Sequence, residues 1–447
     1  MKNYKILIIG LGSIGKNLAI SLINKGYEIN AWDKNKNKNI AICKYLKINY
    51  IKNIFKFIKI NNTIIILAVP AGLAIDNLIF KNINFFKKKN YIIDIGNSHP
   101  CDTMRRYINL KKYKINYIGC GFSGGAYGAR TDASLMIGCN KFFFKFLNKL
   151  FLDIIGKKNK KFLKRISDNP SAGHYAKIIH NGIEYGIMQS IADYYLIMKE
   201  IIKLNDNEII KEMSKLNKLI GDSYLLNITK KIIEKSKSKS NGFLISNILD
   251  KVDDNNTGAW AVSLAANCKF PIPSISSSVE AMFISRQKKI FKELKIKRYK
   301  SKTHLKKIKN EIITISKLSI ICCYLQGIGL LEKISKEKKI RINLRHVLLS
   351  WMSNSIICSN LLKKYFLKIK NNKLDINSIV KKELSLNKRK SLINIMIFLT
   401  NNNLCLPSIN STYLWTNLVT QKKNISFSLI QSQRNYFGGH KIKFYKN

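Results

Sequence analysis

Between His174 and Glu200 the chain reads HYAKIIHNGIEYGIMQSIADYYLIMKE. At about 100° per residue, Lys177, His180, Asn181, Glu184 and Tyr185 fall at i, i+3, i+4, i+7 and i+8 of one helical face. That face carries one base, one acid and three hydrogen-bonding groups, the equipment of proton transfer. Polar helix faces ordinarily look at water. Elsewhere in this chain, however, the polar positions are filled almost wholly by Lys and Asn, and only 6 His occur in 447 residues. The face is therefore read as chemical, on a buried helix whose other sides carry Ile178, Ile179, Ile183 and Ile187. Gly182 and Gly186 each cost a helix interior about 1 kcal/mol against Ala, which predicts a close backbone approach by a neighbouring element.

Such a helix needs a scaffold to bring a reaction partner to it, and the residues before it supply the pattern of one. KILII at 5–9 reads as a buried parallel strand, followed by Gly10-Leu11-Gly12-Ser13-Ile14-Gly15 and a helical pattern to about Lys25. This is GxGxxG between strand and helix. The first glycine makes the turn, the second admits a pyrophosphate, and the third lets helix pack on strand, while the helix N-terminus favours an anion. A second strand, YEINAW, ends at Asp33-Lys34-Asn35, where an adenosine ribose would lie. Asp33 favours a free 2′-hydroxyl and Lys34 a 2′-phosphate. Further strands end at Val69-Pro70-Ala71-Gly72 and at Gly96-Asn97-Ser98. Strands alternating with helices predict a doubly wound α/β, Rossmann-like domain over 1–170, its site at the carboxyl ends of the strands. Residues 117–138 concentrate glycine in a glycine-poor chain, and Ser123-Gly124-Gly125 offers a hydroxyl and bare amides to an oxygen-rich ligand.

From His174 to about Lys423 the period is helical, with breaks at 253–258 and 269–274, so residues 171–428 are expected to form a large all-α domain. The lysine-rich runs at 292–309 and 381–390 read as solvated helix faces. Residues 429–447, with Gln431 to His440 polar and glycine-bearing, read as a tail rather than a helix. The formal charge of +53, from 79 Lys+Arg against 26 Asp+Glu, does not argue for nucleic acid. Lysine is spread along the whole chain with Asn and Ile instead of being gathered into an arm or stripe. Nine scattered cysteines form no CxxC and no metal-ligand spacing, which suits a reducing cytosol. The basic then apolar start is cut by glycines and lacks a cleavage site. No run of about 20 uninterrupted apolar residues is seen, so a soluble, cytoplasmic protein without membrane or metal is expected.

Taken in order, GLGSIG, DIGNS, GFSGGAYGARTDASLMIG, SAGHYAKIIHNGIEYGIMQ, NTGAW and QRNYFGGH resemble the 6-phosphogluconate dehydrogenase family over essentially the whole chain. The resemblance implies oxidative decarboxylation of 6-phosphogluconate in the pentose phosphate pathway. Lys177 would be the base at the carbon-3 hydroxyl, and Glu184 the acid that protonates carbon 1 of the enediol. Asn97, Ser123, Gly124, Gly125, His180 and Asn181 match substrate-binding positions, and Tyr185 a phosphate contact. The cofactor would lie on residues 10–15, Asp33, Lys34, Asn35, Val69, Pro70, Ala71 and Asn97. Arg434 and His440 match tail residues that enter the neighbouring subunit's site, which implies a homodimer with shared active sites.

Four departures accompany the resemblance. The nucleotide-selecting turn is Asp33-Lys34-Asn35 where the family usually has Asn-Arg-Thr, so NADP is expected with a reduced margin over NAD. Pro70 stands where a cofactor-side lysine is common. Two phosphate-binding cations fall on Asn255 and Met282, with Arg286 one turn beyond, and the stretch after His440 is short. Two other readings compete: a related β-hydroxyacid dehydrogenase acting on an unphosphorylated substrate, and a weakened enzyme retained for binding, its basic surface meeting RNA or acidic partners.

Overall fold

The computed structural model describes all residues except 1–3, 36–39, 41–42, 45, 61, 89, 237–244, 254, 288–304, 368, 370–371 and 445–447. The apolar runs of the amino-terminal part form one eight-stranded sheet. Its strands are β1 (Lys5–Ile9), β2 (Ile29–Trp32), β3 (Asn49–Tyr50), β4 (Thr63–Leu67), β5 (Tyr91–Asp94), β6 (Asn116–Ser123), β7 (Ser134–Gly138) and β8 (Arg165–Ser167). They lie in the order β3-β2-β1-β4-β5-β6-β7-β8, parallel except where β6 meets β7. Strand residues alternate between two cores. Ile6, Ile8, Ile64 and Ile66 pack with Leu18 and Leu22 on one face, and Leu7, Ile9, Ile65 and Leu67 with Ile75 and Ile79 on the other. The period of two and the helices on both faces make the domain doubly wound, and the strand order reverses between β1 and β4, where such folds bind ligands.

The glycine-rich stretch 117–138 is mostly strand. β6 and β7 pair antiparallel, Phe122 opposite Leu135, and flank the short helix Gly125–Arg130. Several glycines here serve packing. A Cβ on Gly173 would stand 2.2 Å from the Gly119 carbonyl oxygen, so strand and helix start meet backbone to backbone. Glycine is disfavoured in strands, so a local pattern does not reveal strands whose glycines answer a tertiary demand.

From β8 the chain passes into helix Ser171–Leu196. Asn169 Oδ1 accepts from the backbone N–H and the hydroxyl of Ser171 at 2.9 and 2.7 Å, supplying a cap at the start of the helix. The helix packs against Thr257–Asn267, Pro273–Gln287 and Leu305–Glu337. Gly182 lies against Ala261 and Ile275, and a Cβ on Gly186 would come within 2.6 Å of the Cys323 Sγ. The approach is close, as the two glycines predict, but it is made by side chains and not by the expected backbone. Helix Leu305–Glu337 has no uninterrupted apolar run of about 20 residues, yet holds a window apolar enough to cross a membrane by length and composition. That window is 89% buried inside the protein, with Ile312, Ile321 and Leu330 in the helical core, and apolar character all round is what a buried helix needs.

The lysine run at 292–309 lies outside the described residues as far as 304. The run at 381–390 falls on helices Ile376–Glu383 and Leu386–Asn401, with Lys381, Lys382 and Lys390 exposed and Lys388 paired to the buried Glu383 at 3.0 Å. The carboxyl end corrects the expected tail. Ile425–Gly438 is a helix, capped by Asn424 Oδ1 accepting from Ser426 N–H at 3.0 Å and closed by Gly439 at φ 63°. Its glycines mark a C-cap, which the eye takes for loop. None of its residues is buried, and Ile425, Leu429, Tyr436 and Phe437 stand 82%, 60%, 95% and 76% exposed.

Candidate active site

A cleft of 640 Å³ opens between the carboxyl ends of the strands and helix Ser171–Leu196. Ile14, Val69, Pro70, Ala71 and Asn97 line it from the sheet domain, and Lys177, Asn181, Glu184 and Tyr185 from the helix. Ser123, Gly124 and Gly125 join at the end of β6.

The glycine loop after β1 is built as a dinucleotide cradle. Gly10 has φ 96°, and a Cβ there would meet the Ala68 carbonyl oxygen at 2.4 Å, while one on Gly15 would strike the Gly10 carbonyl oxygen. At Gly12 an added Cβ meets nothing within 4 Å, so that side of the loop is open for a phosphate to approach the N-terminus of Ser13–Ile23. Asp33 turns both carboxylate oxygens to backbone: Oδ2 accepts from Leu11 N–H at 2.6 Å, Oδ1 from Asn35 N–H at 2.9 Å. Lys34 and Asn35 are exposed beside it.

Two further loops are fixed by a buried ion network. The Arg106 guanidinium, fully buried, donates to Asp76 at 2.8 Å, to the Gly72 carbonyl at 3.1 Å and to the Ser98 hydroxyl at 3.2 Å. Asp94 accepts from Ser98, Gly96 N–H and Tyr117 at 2.7, 3.0 and 2.7 Å. The loops that present Pro70 and Asn97 are thus held to each other from behind. His174 joins them to the helix: its Nε2–H donates to the Asp94 carbonyl at 3.2 Å and Nδ1 accepts from Thr103 at 2.6 Å.

Along the helix face the polar groups are connected. Ile356 N–H donates to the Ser123 hydroxyl at 3.2 Å, which donates to His180 Nε2 at 3.0 Å. His180 Nδ1–H donates to Asn181 Oδ1 at 3.2 Å, and Asn181 Nδ2 to the Thr257 hydroxyl at 3.0 Å. Burial, then the neighbouring Lys177, drive the His180 pKa far below its ordinary value, so the ring stays neutral and keeps this tautomer. Burial lowers the Lys177 pKa while Glu184 pulls it up, and burial raises that of Glu184 while Lys177 pulls it down. Both shifts disfavour the charged forms, giving a lysine that can accept a proton and a carboxyl that can give one. His180 is buried and does not line the cleft; it holds Ser123 and Asn181 in place.

The far end of the cleft is neutral. Asn255 Oδ1 accepts from the Thr257 hydroxyl at 2.7 Å and from the Tyr185 hydroxyl at 3.4 Å, with Asn256 beside them at φ 64°. Among the described lining residues Lys177 is the only lysine or arginine. Met282 is buried. Arg286 donates through Nε to the Val252 carbonyl at 2.7 Å and lies over Phe283, so it holds the loop leading to Asn255 instead of lining the cleft.

Two family models divide the chain: the NAD binding domain of 6-phosphogluconate dehydrogenase matches residues 5–162, and the 6-phosphogluconate dehydrogenase C-terminal domain matches 173–447. The chain belongs to the 6-phosphogluconate dehydrogenase family. It is 30% identical to the decarboxylating 6-phosphogluconate dehydrogenase of Buchnera aphidicola from Acyrthosiphon pisum, over 98% of this chain and 96% of that one. To the NADP(+)-dependent decarboxylating enzyme of Bacillus subtilis it is 28% identical, over 98% and 96%. The Plasmodium falciparum 6-phosphogluconate dehydrogenase, solved in its apo form and in complex with NADP+ and with 6-phosphogluconate, superposes with a TM-score of 0.88 at 28% identity, covering 99% and 98% of the two chains.

Of the residues predicted to bind substrate, His180 lies behind the cleft and two others stand elsewhere. Arg434 and His440 are exposed on and just after the last helix and do not line the cleft of their own chain. Other lining residues escaped sequence reasoning. Ile356 acts through its backbone N–H, for which an apolar residue gives no signal. Trp260 meets His99 edge to face at 5.4 Å, and it and Asp102 were findable as polar or aromatic residues near strong motifs.

Proposed function

We propose that this chain catalyses the NADP-dependent oxidative decarboxylation of 6-phosphogluconate to ribulose 5-phosphate and carbon dioxide. The observation that carries the reading is the pairing, in one cleft beside the dinucleotide cradle, of a buried lysine and a half-buried glutamate whose pKa values are pushed toward each other. NADP, when bound on the glycine loop, supplies the hydride acceptor. Lys177 takes the proton from the carbon-3 hydroxyl as that carbon becomes a ketone. The ammonium so formed donates a hydrogen bond to the ketone oxygen, which draws in the electron pair released when the bond to the carboxylate breaks and carbon dioxide leaves. The ammonium's proton passes to that oxygen to give the enediol, and Glu184 then gives its proton to carbon 1 as Lys177 takes the hydroxyl proton back, leaving the ketone of ribulose 5-phosphate. Ser123, Asn181 and Asn97 hold the substrate's hydroxyls, and Tyr185 reaches its phosphate.

The same reading makes the enzyme a cytoplasmic homodimer. Helix Ile425–Gly438 leaves its own chain with large apolar side chains uncovered, and it carries Arg434 while no described residue lining the phosphate end of the cleft is a cation. Exchange of the two arms satisfies both. Reduction of NADP and NAD with 6-phosphogluconate, with release of carbon dioxide, tests the activity; cofactor reduction without carbon dioxide overturns it. Mixing Arg434→Ala chains with Lys177→Met chains tests the shared cleft, since one site of a mixed dimer then holds both wild-type contributions and regains activity. A verified mixed dimer without activity refutes exchange. The neutral far end favours one other reading, a smaller unphosphorylated hydroxyacid, which a substrate panel separates.

A further inference from the structure

The cleft uses the first half of helix Ser171–Leu196; the second half carries a buried acid that the chemistry does not touch. Asp193 is 2% exposed and lies about four turns beyond Lys177. Its Oδ2 accepts from the backbone N–H groups of Ser408 at 2.9 Å and Ile409 at 3.3 Å, and its Oδ1 from Gln189 at 2.7 Å. Ser408 and Ile409 open helix Pro407–Thr420, whose N-cap residue, Leu406, gives no side-chain cap. A carboxylate 215 positions earlier therefore supplies what the local sequence omits. The positive end of the helix stands where a counter-cation would otherwise be needed. The other polar ties of this helix are neutral: Ser277 donates to the Pro407 carbonyl and to Ser411, both at 3.0 Å, and Ser190 meets Ser408.

Residues 421–424 join this helix to the exposed Ile425–Gly438. A helix of 14 residues is about 21 Å long, so a tilt of about 10° at its start moves its far end by roughly 4 Å, beyond hydrogen-bond reach. We propose that Asp193 is a positioning residue acting across the dimer: by fixing the start of Pro407–Thr420 on the catalytic helix, it sets where the arm emerges and how Arg434 enters the neighbouring cleft. This rests on the shared-cleft reading above.

The test compares full-length Asp193→Leu with wild type. In the homodimer, KM for 6-phosphogluconate rises about tenfold, as for loss of one charge-assisted hydrogen bond to the substrate, while KM for NADP is unchanged. In a mixed dimer with Lys177→Met, the surviving site receives an arm anchored by an intact Asp193, and KM returns to the wild-type value. A role within its own chain would leave KM raised in the mixed dimer, and an unchanged KM in the homodimer would also overturn the proposal. Asp193→Asn, which keeps an acceptor for the two amides, gives a smaller rise with the same recovery and serves where the leucine variant does not fold. The Arg434→Ala and Lys177→Met mixture runs beside it. Recovery there without recovery for Asp193 removes this proposal alone; failure of both removes the shared cleft and the proposal with it.

Discussion

Lys177 is seated directly on Gly121: a Cβ added to that glycine would lie 2.6 Å from the Lys177 Cβ and 2.7 Å from the Gly173 carbonyl oxygen. The depth of the base in the cleft is thus set by a strand that carries no side chain at the point of contact. Gly121→Ala must push the helix from the sheet. Such overpacking costs about 1–3 kcal/mol. The expected result is a lower Tm and a fall in kcat well beyond the change in KM for NADP, because the reacting end moves while the glycine loop does not. Equal kcat in a folded Gly121→Ala enzyme would contradict this seating.

Lys177→Met and Glu184→Gln should both abolish decarboxylation but fail at different steps. Without the lysine no group takes the hydroxyl proton, and single-turnover reduction of NADP stops; without the glutamate, reduction survives while enediol protonation slows. Charge coupling adds a signed prediction. Glu184 raises the Lys177 pKa against the effect of burial, so its removal lets that pKa fall further. The acid limb of the pH profile for hydride transfer in Glu184→Gln should therefore move to lower pH, and a move to higher pH would exclude Lys177 as the titrating base.

Asp33 bears on the choice of nucleotide. Both of its oxygens are engaged by the Leu11 and Asn35 amides, and the charge stands at the end of β2 beside the exposed Lys34, where the ribose is expected. Asp33→Asn keeps one amide acceptor and removes the repulsion of a 2′-phosphate. An exposed charge contact is worth about 1 kcal/mol, or about fivefold, so the ratio of kcat/KM for NADP over NAD should rise by about that factor. A fall in the ratio would misplace this turn.

Much of this site was legible because its signals are local. GxGxxG after KILII needs only strand, turn and helix in order, and the face from Lys177 to Tyr185 needs only helical period. β6 and β7 were not legible, since Gly119, Gly121 and Gly138 answer the backbone of a helix that arrives later in the chain. The last helix was missed because Gly438 and Gly439 were read as loop when they close a helix. Ile356, which reaches Ser123 through a backbone N–H, and Asp193, which caps a helix more than 200 residues away, leave no trace in any local window.

The phosphate end carries the last prediction. A dianionic group held by Tyr185, Thr257 and Asn255 alone receives neutral hydrogen bonds, and under the proposed exchange of arms Arg434 of the other chain adds a cation. Asn255 sits on the cleft wall with its Oδ1 accepting from the Thr257 hydroxyl at 2.7 Å and, at 3.4 Å, from Thr257 N–H and the Tyr185 hydroxyl, so Asn255→Lys places an ammonium at the rim at the loss of those three bonds. A charge-assisted bond is worth about 1.5–3 kcal/mol, and KM for 6-phosphogluconate should fall by about tenfold or more. The phosphate is remote from the reacting carbons, so kcat should change little, the mark of uniform binding. Met282→Arg should not help, because Met282 is buried and a guanidinium there would have to be taken out of water. If Asn255→Lys leaves KM for 6-phosphogluconate unchanged while Arg434→Ala raises it, the arm alone holds the phosphate; if neither variant changes it, the substrate of this enzyme carries no phosphate.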